Sequence, residues 1–141
     1  MFTNRKTIHF EWGDCDPAGI VYYPRYFAYF DNCTAALFAA VGLPKHEILK
    51  KYGIVGIPMV DTRARFLAPS RFGDDVVVES AITEWRNSSF DVQHKLFRGD
   101  TLAVECTETR VWAARSASDS EKIEGRAVPA EVINRFSDRK K

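Results

Sequence analysis

The segment from Pro24 to Val41 constrains the fold of this chain more than any other, because it reads as a helix with no polar side broad enough to leave in water. Tyr26, Phe30, Cys33, Leu37 and Val41 fall at helical spacing on one face, and Ala28, Ala35, Ala36, Ala39 and Ala40 keep much of the rest slim. A helix apolar on most sides is driven to burial, and small side chains let a sheet approach it closely. Pro24 suits the first helical position, where a backbone N–H would be unpaired in any case. Gly42 supplies the C-terminal stop, and Pro44 prevents continuation. At roughly 1.5 Å per residue the helix is roughly 27 Å long, enough to serve as the axis of a domain.

The pattern around it is that of strands. Thr7 to Trp12 alternates, with Ile8, Phe10 and Trp12 on one face and His9 and Glu11 on the other. After a short helix near Lys45–Lys51, four strand segments follow: Pro58 to Leu67, Asp75 to Trp85, Ser89 to Phe97 and Thr101 to Ala114. The connections Arg86-Asn87-Ser88 and Arg98-Gly99-Asp100 are short, which makes their flanking strands antiparallel neighbours. Ser116 to Glu121 reads as a loop, Pro129 to Phe136 as a closing helix, and Ser137 to Lys141 as a fraying tail. One helix cannot cover both faces of five long strands. The sheet must curl around it, with its other face or edge partly covered by a second copy of the chain. The expectation is an α+β fold in one domain, residues 1–141, assembled as a homo-oligomer.

Composition narrows the function classes. The 20 basic and 19 acidic residues leave a net charge of +1, so no global field argues for nucleic acid or a membrane surface. No stretch is apolar enough for a secretory signal or a membrane span. Cys15, Cys33 and Cys106 are odd in number and widely spaced, fitting neither a disulfide framework nor a zinc site and pointing to a cytoplasmic setting. His9, His46 and His94 have no metal spacing, so no metal or cofactor is expected, and His9 and His94 read as surface or packed residues.

Chemistry concentrates in the acidic turn Gly13-Asp14-Cys15-Asp16-Pro17-Ala18-Gly19 ahead of the helix. Asp16 is an ordinary residue for an Asp-Pro turn, but its neighbour is a helix start with Tyr23 at the cap, and tyrosine is a poor cap. The first-turn N–H groups, Tyr23 N–H among them, are then free for a ligand oxygen. A carboxylate beside such donors pairs a nucleophile or base with groups that hold a developing negative charge, as hydrolysis of an activated acyl group requires. Asp14 lies two residues away. In an extended segment the two side chains would point the same way, and repulsion would raise one pKa. We read Asp14 as structural, and Cys15 as a buried structural thiol, since two carboxylates oppose thiolate formation.

Asp31 shares a helix face with Pro24, about 10 Å further along the axis, and either meets the far polar end of a small acyl group or makes an ordinary salt bridge. Gly53-Ile54-Val55-Gly56-Ile57-Pro58 is either a loop with unusual torsions or a place where backbone approaches a ligand. Arg86, Lys95 and Arg98, near the hairpin ends, form either a solvated face or a contact for a nucleotide diphosphate.

The run from Gly13 through Tyr23-Pro24-Arg25-Tyr26-Phe27 closely resembles the signature of the 4-hydroxybenzoyl-CoA thioesterase family of hotdog-fold enzymes. The resemblance extends collinearly to Gly42-Leu43-Pro44, to the segment from Gly53 to Pro58, and to Glu84-Trp85-Arg86 with Ser89-Phe90. It implies a helix wrapped by a five-stranded antiparallel sheet and hydrolysis of an acyl-CoA thioester without metal or organic cofactor. Asp16 matches the family's catalytic carboxylate, and Tyr23 the residue whose backbone N–H polarises the thioester carbonyl. Asp31 matches a carboxylate that meets a ring hydroxyl, and Arg86 a contact to a CoA phosphate. Gly56, Ile57 and Pro58 fall in a matching segment and are carried as substrate-binding residues. The family assembles dimers, usually into tetramers. The chain departs from the aromatic branch at Asn87 and Ser88, where that branch is more basic.

The expected activity is hydrolysis of a benzoyl- or 4-hydroxybenzoyl-type CoA thioester, with short-chain and phenylacyl thioesters as the broader alternative. A hotdog hydratase would need a histidine near the acyl α and β carbons, and no histidine here lies in a glycine-marked loop. A non-catalytic acyl-CoA-binding module would have no use for Asp16.

Overall fold

The computed structural model describes residues 1–137; the expected fraying beyond Ser137 lies outside the described residues. In chain order the elements are β1 (Thr3–His9), a single 3-10 turn (Trp12–Asp14), α1 (Tyr23–Ala40), α2 (Lys45–Tyr52), β2 (Met59–Phe66), β3 (Asp75–Trp85), β4 (Ser89–Arg98), β5 (Thr101–Val111), β6 (Ala113–Arg115), β7 (Ile123–Gly125) and α3 (Ala130–Phe136). Strands β1 to β5 form one antiparallel sheet in the order β1-β3-β4-β5-β2. The expected arrangement is therefore present: the sheet is laid over the long helix α1 in the hotdog manner.

Several boundaries differ from the sequence reading, β1 among them, which begins at Thr3 rather than Thr7. Helix α1 begins at Tyr23, with Tyr22 as its cap and Pro24 one position inside. Both positions lie in the first turn, where a missing N–H removes no helical hydrogen bond. Trp12 leaves β1 and is 73 % exposed on the 3-10 turn. That turn closes because Asp14 N–H donates to Glu11 O while Glu11 N–H donates to the Asp14 carboxylate. The last long strand stops at Val111. There the buried Trp112 gives its N–H to Ser88 O and accepts from Arg126 N–H, and Ala113–Arg115 pairs instead with Ile123–Gly125.

The buried face of α1, Tyr26, Phe30, Cys33, Thr34, Leu37 and Phe38, divides the interior. Around its first half pack Ile8, Phe10, Val76, Val78, Leu96 and Val104. Around its second half pack Ile82, Phe90, Val92, Trp112, Val132 and Phe136. Between the two lies a polar band: Thr34, Ser80, His94 and Glu108, all buried. Each band residue sits where the period of its element demands an inward side chain, since Ser80 separates Val78 from Ile82 and His94 separates Val92 from Leu96. The outer sheet face is charged, with Arg5 paired to Glu79 and Arg65 to Glu105. No helix is long and apolar enough to cross a membrane.

Candidate active site

The turn before α1 is built on backbone bonds. Asp16 O accepts from Gly19 N–H at 2.9 Å, Asp16 N–H donates to Ile20 O at 2.9 Å, and the Asp16 carboxylate accepts from Ala18 N–H at 2.9 Å. Pro17 follows the first turn residue, where its fixed φ is favoured. Gly19 sits at φ 79°, a conformation that side chains resist. A bridge from Cys15 to Val21 closes the loop on itself, and one from Ile20 to Arg71 pins it to the β2–β3 connection.

Asp14 ties this turn to the helix. Its buried carboxylate accepts from Arg25 Nε at 2.9 Å, from Tyr29 Oη at 2.7 Å and from Glu11 N–H at 2.9 Å. Burial pushes the Asp14 carboxyl up, and the bonds from Tyr29, Glu11 and Arg25 outweigh it and hold it below the ordinary range. Tyr29 is in turn pushed up to about 12 by burial and by Asp14. The expected repulsion between Asp14 and Asp16 is thus absent. Asp14 belongs to the 3-10 turn and only Cys15 is extended, so Asp14 turns inward to α1 while Asp16 folds back onto its own loop.

Tyr22 caps α1 without a side-chain hydrogen bond. The cap is one residue earlier than expected, which makes Tyr23 N–H the first helical donor. It has no acceptor among the described residues, whereas Arg25 N–H donates to Tyr22 O. Tyr23 lines a cleft of about 380 Å³ with Ile20, Val21, Tyr26, Phe66 and Leu67. Its ring and that of Phe66, both exposed, have centroids 6.4 Å apart.

Asp31, Gly56, Ile57 and Pro58 come together in a second cavity of about 480 Å³, with Lys45 and Arg110 in the same wall. Gly56 has φ 152°, so its glycine is required by the backbone. Gly53, at φ 62°, ends α2 and serves as a helix stop. Asp31 makes the salt bridge that was one of its two readings, to Arg110 Nη2 at 2.8 Å, and still leaves about half of its side chain exposed. Arg86 belongs to neither concavity. Its guanidinium is held by Asp91 at 2.6 Å, Glu84 at 2.7 Å and Ser89 at 2.8 Å within the β3–β4 hairpin.

The polar band behind Asp31 was not singled out from the sequence. Glu108 accepts from Thr34 Oγ1 at 2.6 Å and from Arg110 Nε at 2.8 Å, with His94 Nε2 3.4 Å away. Ser80 Oγ meets His94 Nδ1 at 2.7 Å, and the His94 ring stacks on Phe30 at 5.1 Å. Burial pushes the Glu108 carboxyl up, but His94 and Arg110 together pull it down to about 2. The signal was available: a polar residue at the middle inward position of Val78-x-Ser80-x-Ile82 and of Val92-x-His94-x-Leu96, where alternation calls for an apolar one. Among the described residues, no group of three or more His, Cys, Asp or Glu side chains is arranged to hold a metal.

A long helix under a curled five-stranded sheet, with an acidic turn and an open amide at the helix start, defines a class of acyl-handling hotdog proteins. The family model of the thioesterase-like superfamily matches residues 10–136, and the chain belongs to that superfamily. It is 37 % identical over 129 residues to a 4-hydroxybenzoyl-CoA thioesterase of Pseudomonas sp. (strain CBS-3), covering 87 % of this chain and 89 % of that one. The solved structure of the thioesterase from that strain superposes with a TM-score of 0.85 at 34 % identity, covering 94 % and 98 % of the two chains. An aspartate-to-asparagine variant of 4-hydroxybenzoyl CoA thioesterase, solved with 4-hydroxybenzoyl CoA, superposes with a TM-score of 0.88 at 33 % identity, covering 96 % of this chain and 99 % of that one.

Proposed function

We propose that this protein hydrolyses an aromatic acyl-CoA thioester, of the benzoyl or 4-hydroxybenzoyl type, to the free acid and coenzyme A. The observation that carries the reading is the unpartnered Tyr23 N–H at the start of α1, next to the Asp16 turn that Asp14 straps to the same helix. The thioester oxygen takes the Tyr23 N–H, and the helix dipole favours the charge that builds on it. Asp16 attacks the carbonyl carbon, coenzyme A leaves as the thiolate, and water opens the resulting anhydride. In the alternative route Asp16 removes a proton from the attacking water. The likeness to a 4-hydroxybenzoyl-CoA thioesterase over most of the chain supports the substrate class.

The acyl group extends toward Asp31 and the loop Gly56-Ile57-Pro58. No metal or organic cofactor takes part. Arg86 already has its charge met by two carboxylates, which makes it the weakest member of the site. The protein works as a homo-oligomer in a reducing, cytoplasmic setting, a reading supported by its three free cysteines and by the open outer edges of β1 and β2. Single turnover of 4-hydroxybenzoyl-CoA in heavy-oxygen water tests the mechanism. Label in the Asp16 carboxylate identifies an anhydride opened at the aspartyl carbon; label in the product acid alone fits both the base route and an anhydride opened at the acyl carbon, and trapping of an acylated Asp16 with hydroxylamine separates these two.

A further inference from the structure

Two charges meet at the start of α1, and either one alone is at odds with its surroundings. The first is Asp14, a carboxylate only 2 % exposed. Its Oδ1 accepts from Arg25 Nε at 2.9 Å and lies 2.9 Å from Arg25 Nη2, while Oδ2 accepts from Tyr29 Oη and Glu11 N–H. A carboxylate engaged on both oxygens in this way is neither a free base nor a ligand group; what it still exerts on its surroundings is charge. That charge is close to the proposed chemistry. Asp14 O accepts from Tyr22 N–H at 2.8 Å, and Tyr23 N–H is the next amide along the chain. Covalent geometry therefore keeps the Asp14 carboxylate within about 12 Å of the Tyr23 N–H. The second charge is Arg25, the third residue of α1, where a cation opposes the positive end of the helix dipole. Glu11 is exposed and screened by solvent, so the buried Asp14 is the carboxylate that Arg25 has to answer.

We propose, resting on the thioesterase reading above, that Arg25 is a positioning residue for the hydrolysis that acts through Asp14, cancelling the buried carboxylate beside the helix start so that negative charge gathering at Tyr23 N–H meets a neutral pair. Charged partners serve here better than two neutral ones, because their bonds also fix the turn. Asp14 joins the 3-10 turn to Tyr22, Arg25 and Tyr29, and charge-assisted hydrogen bonds hold such a junction more firmly than neutral ones. Without Arg25 the same carboxylate would oppose the oxyanion. At an effective dielectric of about 20, a unit charge about 12 Å away changes a rate by about tenfold.

The test measures kcat and KM for 4-hydroxybenzoyl-CoA in the full chain and its variants. Arg25→Gln keeps an N–H donor for Asp14 but removes the charge, and kcat is expected to fall about tenfold with KM within about twofold of wild type. Arg25→Lys keeps the charge and is expected to stay within about threefold of wild type; a loss as large as that of Arg25→Gln overturns the proposal. Asp14→Asn combined with Arg25→Gln removes both charges and is expected to bring kcat back to within about threefold of wild type. A purely structural strap predicts the opposite, since the double variant has lost more of it, and a double variant as slow as Arg25→Gln overturns the inference. Unchanged kcat in Arg25→Gln also overturns it and leaves the thioesterase reading standing, whereas a wild-type protein that hydrolyses no aromatic acyl-CoA overturns both. If Arg25→Gln does not fold, Asp14→Asn alone decides: the unmasked guanidinium is expected to leave kcat at or above the wild-type value, and a lower kcat overturns the proposal.

Discussion

Asp14 and Asp16, two residues apart in one acidic turn, have opposite fates, decided by which way the chain bends between them. The 3-10 turn ends at Asp14 and sends it under α1 to Arg25 and Tyr29, leaving Asp16 partly exposed on the loop. Asp16→Asn keeps an oxygen that can accept from Ala18 N–H, so its melting temperature is expected to stay close to wild type. Its turnover of 4-hydroxybenzoyl-CoA is expected to drop roughly 10³-fold, the scale of a lost catalytic carboxylate; a drop of less than tenfold rules out the proposed chemistry. Asp14→Asn is expected to cost about 2 kcal/mol of stability in urea titration at pH 7, because it removes a charge that Arg25 and Tyr29 both address. The sign with pH follows from the lowered Asp14 pKa. Its contribution is present above the ordinary value of 3.8 and is lost as pH falls through the lower folded value. The wild-type advantage over Asp14→Asn should therefore shrink in acid.

At the scale of elements, the sequence was most readable where the signal is local. Alternation and two short connections placed β3, β4 and β5, and the Pro24–Gly42 frame placed α1 to within a residue or two. The place of β2 at the far edge beside β5 was not readable, since that pairing joins residues 38 to 51 positions apart through side chains that alternate like any others. Nor was the polar band, because Ser80, His94 and Glu108 become a network only when three strands and Thr34 meet. The band makes its own acid-range prediction. Glu108 has its carboxyl lowered from 4.5 to about 2, which corresponds to about 3 kcal/mol present above pH 4.5 and lost as pH falls toward 2. Glu108→Gln is accordingly expected to lose stability at pH 7 and to approach the wild type near pH 2 to 3. A gap in unfolding free energy that is constant across that range would contradict this account.

At the scale of the whole molecule, the chain carries Tyr23 and Asp31 in separate concavities of one surface, about 12 Å apart along α1 by helical rise. Exposed Tyr23, Phe66 and Leu67 line the first of them, Tyr22 packs on Tyr23, and Trp12 and Phe72 form a further exposed aromatic pair. Such an apolar surface, together with an open strand edge, is suited to cover by a second copy. Sedimentation equilibrium at micromolar concentration is expected to give twice or four times the mass of the chain, and a monomer would overturn the oligomeric reading.

The three thiols of this molecule are unequal in a way that has a practical use. Burial pushes Cys33 up to about 12 and Cys106 up to about 11, so both sulfurs stay protonated at neutral pH and walled off by core side chains. Cys15, expected to be buried like them, instead remains partly open to solvent, directly bonded in the chain to Asp16. A small thiol-directed fluorophore or fluorinated tag added at neutral pH therefore goes to one place. The protein thus carries a native attachment point for a reporter beside the loop proposed to hold the chemistry, usable without any substitution in the chain.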